Sequence, residues 1–158
     1  MRIEALEYSA DSGDRFSRLA DQPWAVFLDS GRERGFGGRF DIFTARPYAT
    51  LTTRGAETEI QSRSGLSRSD RDPLELLREA LGPVEPGDAR LPFAGGAIGY
   101  FSYDLGRRFE RWDRLADDDI GMPEMAVGLY DWAVVVDHHE QQERLKPEFS
   151  DIRRMGSV

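Results

Sequence analysis

The chain has 158 residues, 39% of them apolar and 32% charged, which is enough to bury one core and too little for a second full-sized domain. A formal charge of −8 works against a surface that tracks phosphates, so nucleic acid is not an expected partner. The absence of cysteine excludes disulfides and thiolate metal sites, and no apolar run is long enough for a membrane span, so no membrane partner is expected either.

Residues 1–20 are polar and acidic and lack the basic start and apolar centre of a secretion signal, so the expected location is the cytoplasm. Arg2–Tyr8 reads as a short strand and Asp11–Ala20 as a short helix with Phe16 and Leu19 inward. Pro23 opens a strand carrying Trp24, Val26, Phe27 and Leu28 and closed by Ser30-Gly31. A glycine- and arginine-rich loop follows, and a second strand resumes over Arg39–Ala45, with Phe40, Ile42 and Thr44 on one face and Arg39, Asp41 and Phe43 on the other. Tyr48–Thr53 and Glu57–Gln61 read as a hairpin turning at Arg54-Gly55, and Ser62–Asp70 as a surface loop.

Asp72-Pro73-Leu74-Glu75 has the cap, first-turn proline and glutamate of a helix start, with Leu74, Leu77 and Leu81 as its buried stripe and Gly82-Pro83 as its stop. In Leu91–Glu110 the glycines Gly95, Gly96 and Gly99 lie among apolar and aromatic residues. That pattern predicts a buried central strand whose side chains are deleted where another backbone comes close. Ser102 or Asp104 then caps a helix beginning near Leu105, with Leu105, Phe109 and Trp112 as its stripe. Met125–Asp137 reads as one long apolar strand, and Asp137–Glu143 as a turn with little return arm beyond it. About six strands and three helices, with helices between hairpins, give an α+β class built on antiparallel sheets.

Several motifs invite chemistry and are better read as structure. Gly95-Gly96-Ala97-Ile98-Gly99 has no following Gly-Lys-Ser/Thr, so it is not a phosphate loop. Asp117, Asp118 and Asp119 are expected to be solvated charge rather than a magnesium site. His138 and His139, adjacent at a strand end, point to opposite faces and do not clasp one metal. Arg107 and Arg108 are expected in solvent or in ion pairs with Glu110 or the acidic loop. Lys146, the lone lysine, stands beside Pro147 in a polar tail, away from any pocket that would activate an amine.

GGAIGYFSYDLGRRFE and the later MAVGLYDWAVVVDH carry a resemblance that runs from about Pro23 to Leu145. The chain resembles the amino-terminal domain of the anthranilate synthase component I family, and YDLGRRFE with LYDW favours its aminodeoxychorismate synthase branch. The resemblance implies a two-sheet sandwich with flanking helices over residues 1–145 and leaves 146–158 as a divergent tail. It implies a whole enzyme that converts chorismate and glutamine-derived ammonia to 4-amino-4-deoxychorismate, with magnesium, a chorismate-binding catalytic domain and a glutamine amidotransferase partner. The PIKGT-type segment and metal-holding glutamates of that catalytic domain have no counterpart in these residues, so this chain alone is expected to be inactive. In members that bind L-tryptophan, the matching positions are Ser30, Gly37, Gly38, Arg39 and Phe40. A hydroxyl, a guanidinium and an aromatic ring suit an amino acid's two charged ends and its side chain. Gly37 and Gly38 depart from the bulkier residues that such members can carry, and a structural role for these five positions stands beside the ligand role. A free-standing amino-acid-binding module is the alternative reading, and a small self-sufficient enzyme the third.

Overall fold

The computed structural model describes residues 3–31, 38–83, 88–110 and 118–146. Among them lie strands β1 Glu4–Leu6, β2 Val26–Leu28, β3 Phe40–Thr44, β4 Ala49–Arg54, β5 Glu57–Ser62, β6 Gly65–Ser69, β7 Gly96–Phe101, β8 Met125–Tyr130, β9 Ala133–Asp137 and β10 Gln142–Lys146. The helices are α1 Ser12–Ser17, α2 Pro73–Leu81 and a 3-10 helix Tyr103–Arg108. The chain divides into two units, one of residues 1–47, 85–96 and 130–158 and one of residues 48–84 and 97–129. No helix among the described residues is long and apolar enough to cross a membrane.

The first unit holds a sheet of order β1-β10-β9-β3-β2, antiparallel at every step. Its centre is β9, whose Ala-Val-Val-Val-Asp run is buried on both faces, as a β-branched stretch permits in the middle of a sheet. Leu19, Phe43, Val134, Val136 and Leu145 form the core, and Phe16, Phe27 and Phe43 meet with ring centroids 5.1–6.2 Å apart. Asp11 caps α1 by accepting from the Asp14 amide at 3.0 Å, which sets the helix so that Phe16 faces this core.

The second unit holds a sheet of order β6-β5-β4-β8-β7. Its hairpin turns between Arg54 and Glu57, where Gly55 takes a positive φ of 55°. Leu51, Met125, Val127 and Leu129 are at most 1% exposed, and α2 adds Leu76 and Leu77 to the same core. Thr53 and Thr58, fully buried opposite one another, satisfy their hydroxyls mutually at 2.9 Å.

Several expectations are corrected here. Met125–Asp137 is two strands, because the chain leaves one sheet after Tyr130 and joins the other at Ala133, a break marked only by Asp131 within an otherwise apolar run. The return arm is a complete five-residue strand: β10 pairs with β9 from Gln142↔Asp137 to Lys146↔Ala133, so backbone pairing makes a strand where the side chains are mostly polar. Lys146 therefore sits in a sheet, 8% exposed, with Nζ bonded to the Ala94 carbonyl, while residues 147–158 lie outside the described residues. Ser62–Asp70 contains β6, an exposed edge strand with no apolar face to advertise it.

The glycine-rich strand β7 is the outer strand of its sheet rather than the centre. Gly99 nonetheless has the expected reason: a Cβ there would stand 2.1 Å from the Ala126 carbonyl oxygen. The segment after it is 3-10 rather than α, with Leu105 buried and Phe109 52% exposed; Trp112 lies outside the described residues. In α2 the buried leucines are Leu76 and Leu77, whereas Leu74 and Leu81 are exposed. Arg107 pairs with Asp104 at 2.6 Å, and Arg108 bonds the carbonyls of Ala56 and Asp70.

Candidate ligand site

The candidate residues lie where β2 ends and β3 begins. The antiparallel register, with Leu28 opposite Ile42, brings Ser30 back alongside Asp41. The Ser30 amide and hydroxyl both donate to Asp41 Oδ1, at 2.8 Å and 2.7 Å. Arg39 turns to another partner: its Nε and Nη2 donate to the Asp137 carboxylate, the shortest contact being 2.8 Å, and its guanidinium carbon lies 4.6 Å from the centre of the Phe40 ring. Thus Ser30, Arg39 and Phe40 share one stretch of the first unit, but Ser30 and Arg39 are anchored to different carboxylates. Gly38, half-buried, immediately precedes Arg39, and Gly37 lies outside the described residues.

Behind Ser30 is a polar cluster that the sequence reading did not assemble. His138 and Asp41 are buried, with side chains 2% and 7% exposed, and His138 Nε2 donates to Asp41 Oδ2 at 2.7 Å. Tyr8 bonds to Nδ1 of the same ring at 3.1 Å, and Ser12 supplies a further hydroxyl to the carboxylate. Burial alone would raise the Asp41 pKa. The bonds from the Ser30 amide, His138, the Ser30 hydroxyl and Ser12 outweigh it and hold the group at about 2, so the carboxylate is charged at neutral pH.

Serine, histidine and aspartate together suggest a nucleophile, but the geometry does not. A triad needs the carboxylate and the nucleophile on opposite ring nitrogens. Here Asp41 and Ser12 both stand at Nε2, while Tyr8 faces Nδ1. The Ser30 hydroxyl donates to the carboxylate and not to the ring. The cluster orients a loop rather than activating an oxygen.

Glu143, on β10, is 1% exposed, and Arg15 Nη1 is 3.1 Å from its Oε1 at an angle outside hydrogen-bond geometry. Burial pushes its pKa up, with Arg15 opposing. A carboxyl raised in this way contributes full stability below its unfolded pKa of about 4.3 and loses it as pH rises through the folded value. Glu143→Gln is therefore expected to raise the melting temperature at pH 7–8 by roughly 2–4 °C, the shift that about 1 kcal/mol gives a chain of this size, with the difference closing towards pH 4. Thermal melts across that range check it, and a lower melting point for the variant at pH 8 would contradict it.

No family model matches the chain. Aminodeoxychorismate synthase component 1 of Klebsiella aerogenes is 47% identical over 147 residues, covering 91% of this chain and 31% of that protein. The protein of the same name from Escherichia coli K12 is 48% identical over 126 residues, covering 78% and 28%. The crystal structure of anthranilate synthase component I from Streptococcus pneumoniae TIGR4 superposes with a TM-score of 0.60 at 27% identity, over 72% of this chain and 27% of that one. The chain belongs to the anthranilate synthase component I family. It spans under a third of the length of these relatives.

The magnesium that the family resemblance implies finds no fit in the described part of this family member. No group of three or more His, Asp or Glu side chains among the described residues converges as a metal site. Of its buried carboxylates, Asp41 is taken by Ser30 and His138, Asp137 by Arg39, and Glu143 faces the Arg15 guanidinium. Of the acidic loop, Asp118 accepts from the Gly121 amide at 2.8 Å, and Asp117 lies outside the described residues.

Proposed function

We propose that this chain is the non-catalytic amino-terminal portion of an aminodeoxychorismate synthase component I. Its role is to supply scaffold and an amino-acid site to an assembly whose chorismate-binding catalytic domain, magnesium and glutamine amidotransferase partner lie elsewhere. The assembly converts chorismate and glutamine-derived ammonia to 4-amino-4-deoxychorismate for 4-aminobenzoate and folate synthesis. The observation that carries this reading is the lopsided coverage: 91% of this chain matches 31% of the Klebsiella relative at 47% identity.

The second unit offers support. Phe101, Tyr103, Ile120 and Met122 are 53–83% exposed on segments joined where the Ser102 amide donates to the Glu124 carbonyl at 2.7 Å, and β7 ends its sheet. Exposed apolar residues of this kind beside an edge strand suit a surface that another polypeptide covers. Within the first unit we assign Ser30, Gly37, Gly38, Arg39 and Phe40 to a site for L-tryptophan.

The test is an assay of the purified chain with chorismate, ammonia and magnesium, alone and then mixed with the separately produced remainder of the Escherichia coli relative. The expected result is no product alone and product on mixing. Turnover by the chain alone would overturn the reading.

A further inference from the structure

The register of the first sheet lays one row of residues across four strands: Asp41 of β3 opposite Val136 of β9, Val136 opposite Glu143 of β10, and Glu143 opposite Leu6 of β1. Two of the four are carboxylates, and what covers them is β1, α1 and the turn between. Tyr8 meets His138 Nδ1 at 3.1 Å, the Ser12 hydroxyl lies 3.4 Å from Nε2 of the same ring, and Arg15 Nη1 stands 3.1 Å from Glu143 Oε1. The cover itself is lightly held. β1 pairs through three residues at the edge of the sheet, α1 has six residues, and Leu6, Tyr8 and Phe16 are only partly buried. A segment with few buried apolar contacts opens at a free energy well below that of the unit it belongs to.

Closed, this cover takes Glu143 out of water without replacing what water supplied. The side chain is fully enclosed, and neither oxygen has a hydrogen bond of good geometry. Burial raises its pKa, while Arg15 from α1, the Ser9 amide and His138 at the end of β9 favour the charged form and are outweighed. Asp41, two strands along the row, is charged and satisfied by its own hydrogen bonds. We propose that residues 4–17 form a strap that opens from this face as a unit, closed while Glu143 holds a proton and released once Glu143 is charged. Opening hydrates the carboxylate and uncovers the edge of β10, and it leaves β10, β9, β3 and β2 paired. The sign follows from linkage. In the open form Glu143 ionises near its ordinary value of about 4.3, and in the closed form at a higher pH. The closed form is therefore fully favoured below about pH 4.3 and loses that advantage as pH rises through the closed-state value. The melting behaviour of Glu143→Gln concerns the whole unit; the strap says which part gives way first.

Hydrogen exchange followed by mass spectrometry on the full 158-residue chain between pH 4 and 8, with rates divided by the intrinsic exchange rate at each pH, measures the opening. Peptides from residues 4–17 are expected to exchange ahead of β9 and β3, with an opening constant that rises about fivefold or more from pH 4 to 8. In Glu143→Gln the constant should be lower at pH 8 and lack that part of the rise; groups other than Glu143 act in both proteins, so the ratio of the two isolates it. Arg15→Gln removes the cation that opposes burial and should make the rise steeper, whereas an arginine with only a packing role would raise opening equally at pH 4 and pH 8. Parallel profiles for wild type and Glu143→Gln overturn the proposal, as does a wild-type constant that falls with pH. Exchange of residues 4–17 in step with β9 would also overturn it, since the segment would then open only with the whole unit. Should Glu143→Gln not fold, the wild-type and Arg15→Gln profiles decide by the same signs.

Discussion

Gly99→Ala is expected to cost the second unit about 4 kcal/mol or more, at the far end of the range for single substitutions. The added Cβ would stand 2.1 Å from the Ala126 carbonyl oxygen and 2.6 Å from the Val127 Cα, both backbone atoms of β8. Flexible side chains could yield by rotating; a central strand does not. Met125, Val127 and Leu129 of β8 are at most 1% exposed, and β8 is bonded along its length to β4. Relief must come from β7 moving away, which would break the outer pairing of the sheet and disturb Leu105 beyond it. Ordinary overpacking costs about 1–3 kcal/mol because side chains share the strain, and here nothing soft is available to share it. Gly31→Ala is the control: its φ of 67° disfavours a side chain, but no atom lies within 4 Å of the added carbon, so about 1–2 kcal/mol is expected. Denaturant unfolding of both variants measures the contrast. A Gly99→Ala midpoint equal to that of Gly31→Ala would sink the close-approach argument.

That glycine was legible because its cause is local: a small residue amid Ile98, Tyr100 and Phe101 has few explanations other than a neighbouring backbone. The α2 cap was legible for the same reason, Asp72 and Pro73 acting on the turn that contains them. Non-local partners erased other signals. Gly65–Ser69 became a strand because β5 offered a free edge, and no alternation in its own side chains foretold that. The apolar run Met125–Asp137 hid a change of sheet because both halves are buried, and burial on both faces removes the period that would mark a boundary.

The site divides along the same line. Ser30, Arg39 and Phe40 could be named from a short motif, but what each of them touches could not. Asp137 is 98 residues from Arg39, and His138 is 97 from Asp41. An aspartate on a strand and a histidine entering a turn look like solvated ends until β3 and β9 are placed side by side. Only the pairing Phe40↔Asp137 turns two unrelated polar residues into one buried bond.

Asp41→Ala should then be the most damaging polar substitution in the first unit, at about 3–5 kcal/mol at pH 7, the cost of removing one partner from a buried, bonded charge. The loss is larger than one bond because His138, the Ser30 amide, the Ser30 hydroxyl and Ser12 all lose their acceptor together, and the ring at 2% exposure has no solvent to turn to. The pH dependence has a definite sign. The folded pKa of Asp41, about 2, lies below the unfolded value of about 3.9, so its contribution is present above that unfolded value and disappears as pH falls through the folded one. The gap in stability between wild type and Asp41→Ala should stay constant from pH 7 to about 5 and narrow on acidification towards pH 2. Glu143 runs the opposite way, gaining relative stability as it protonates, so the Glu143→Gln variant is the background in which to follow Asp41 in isolation. A gap that widened on acidification would mean that the carboxylate is not the charged acceptor on which Ser30 and His138 converge.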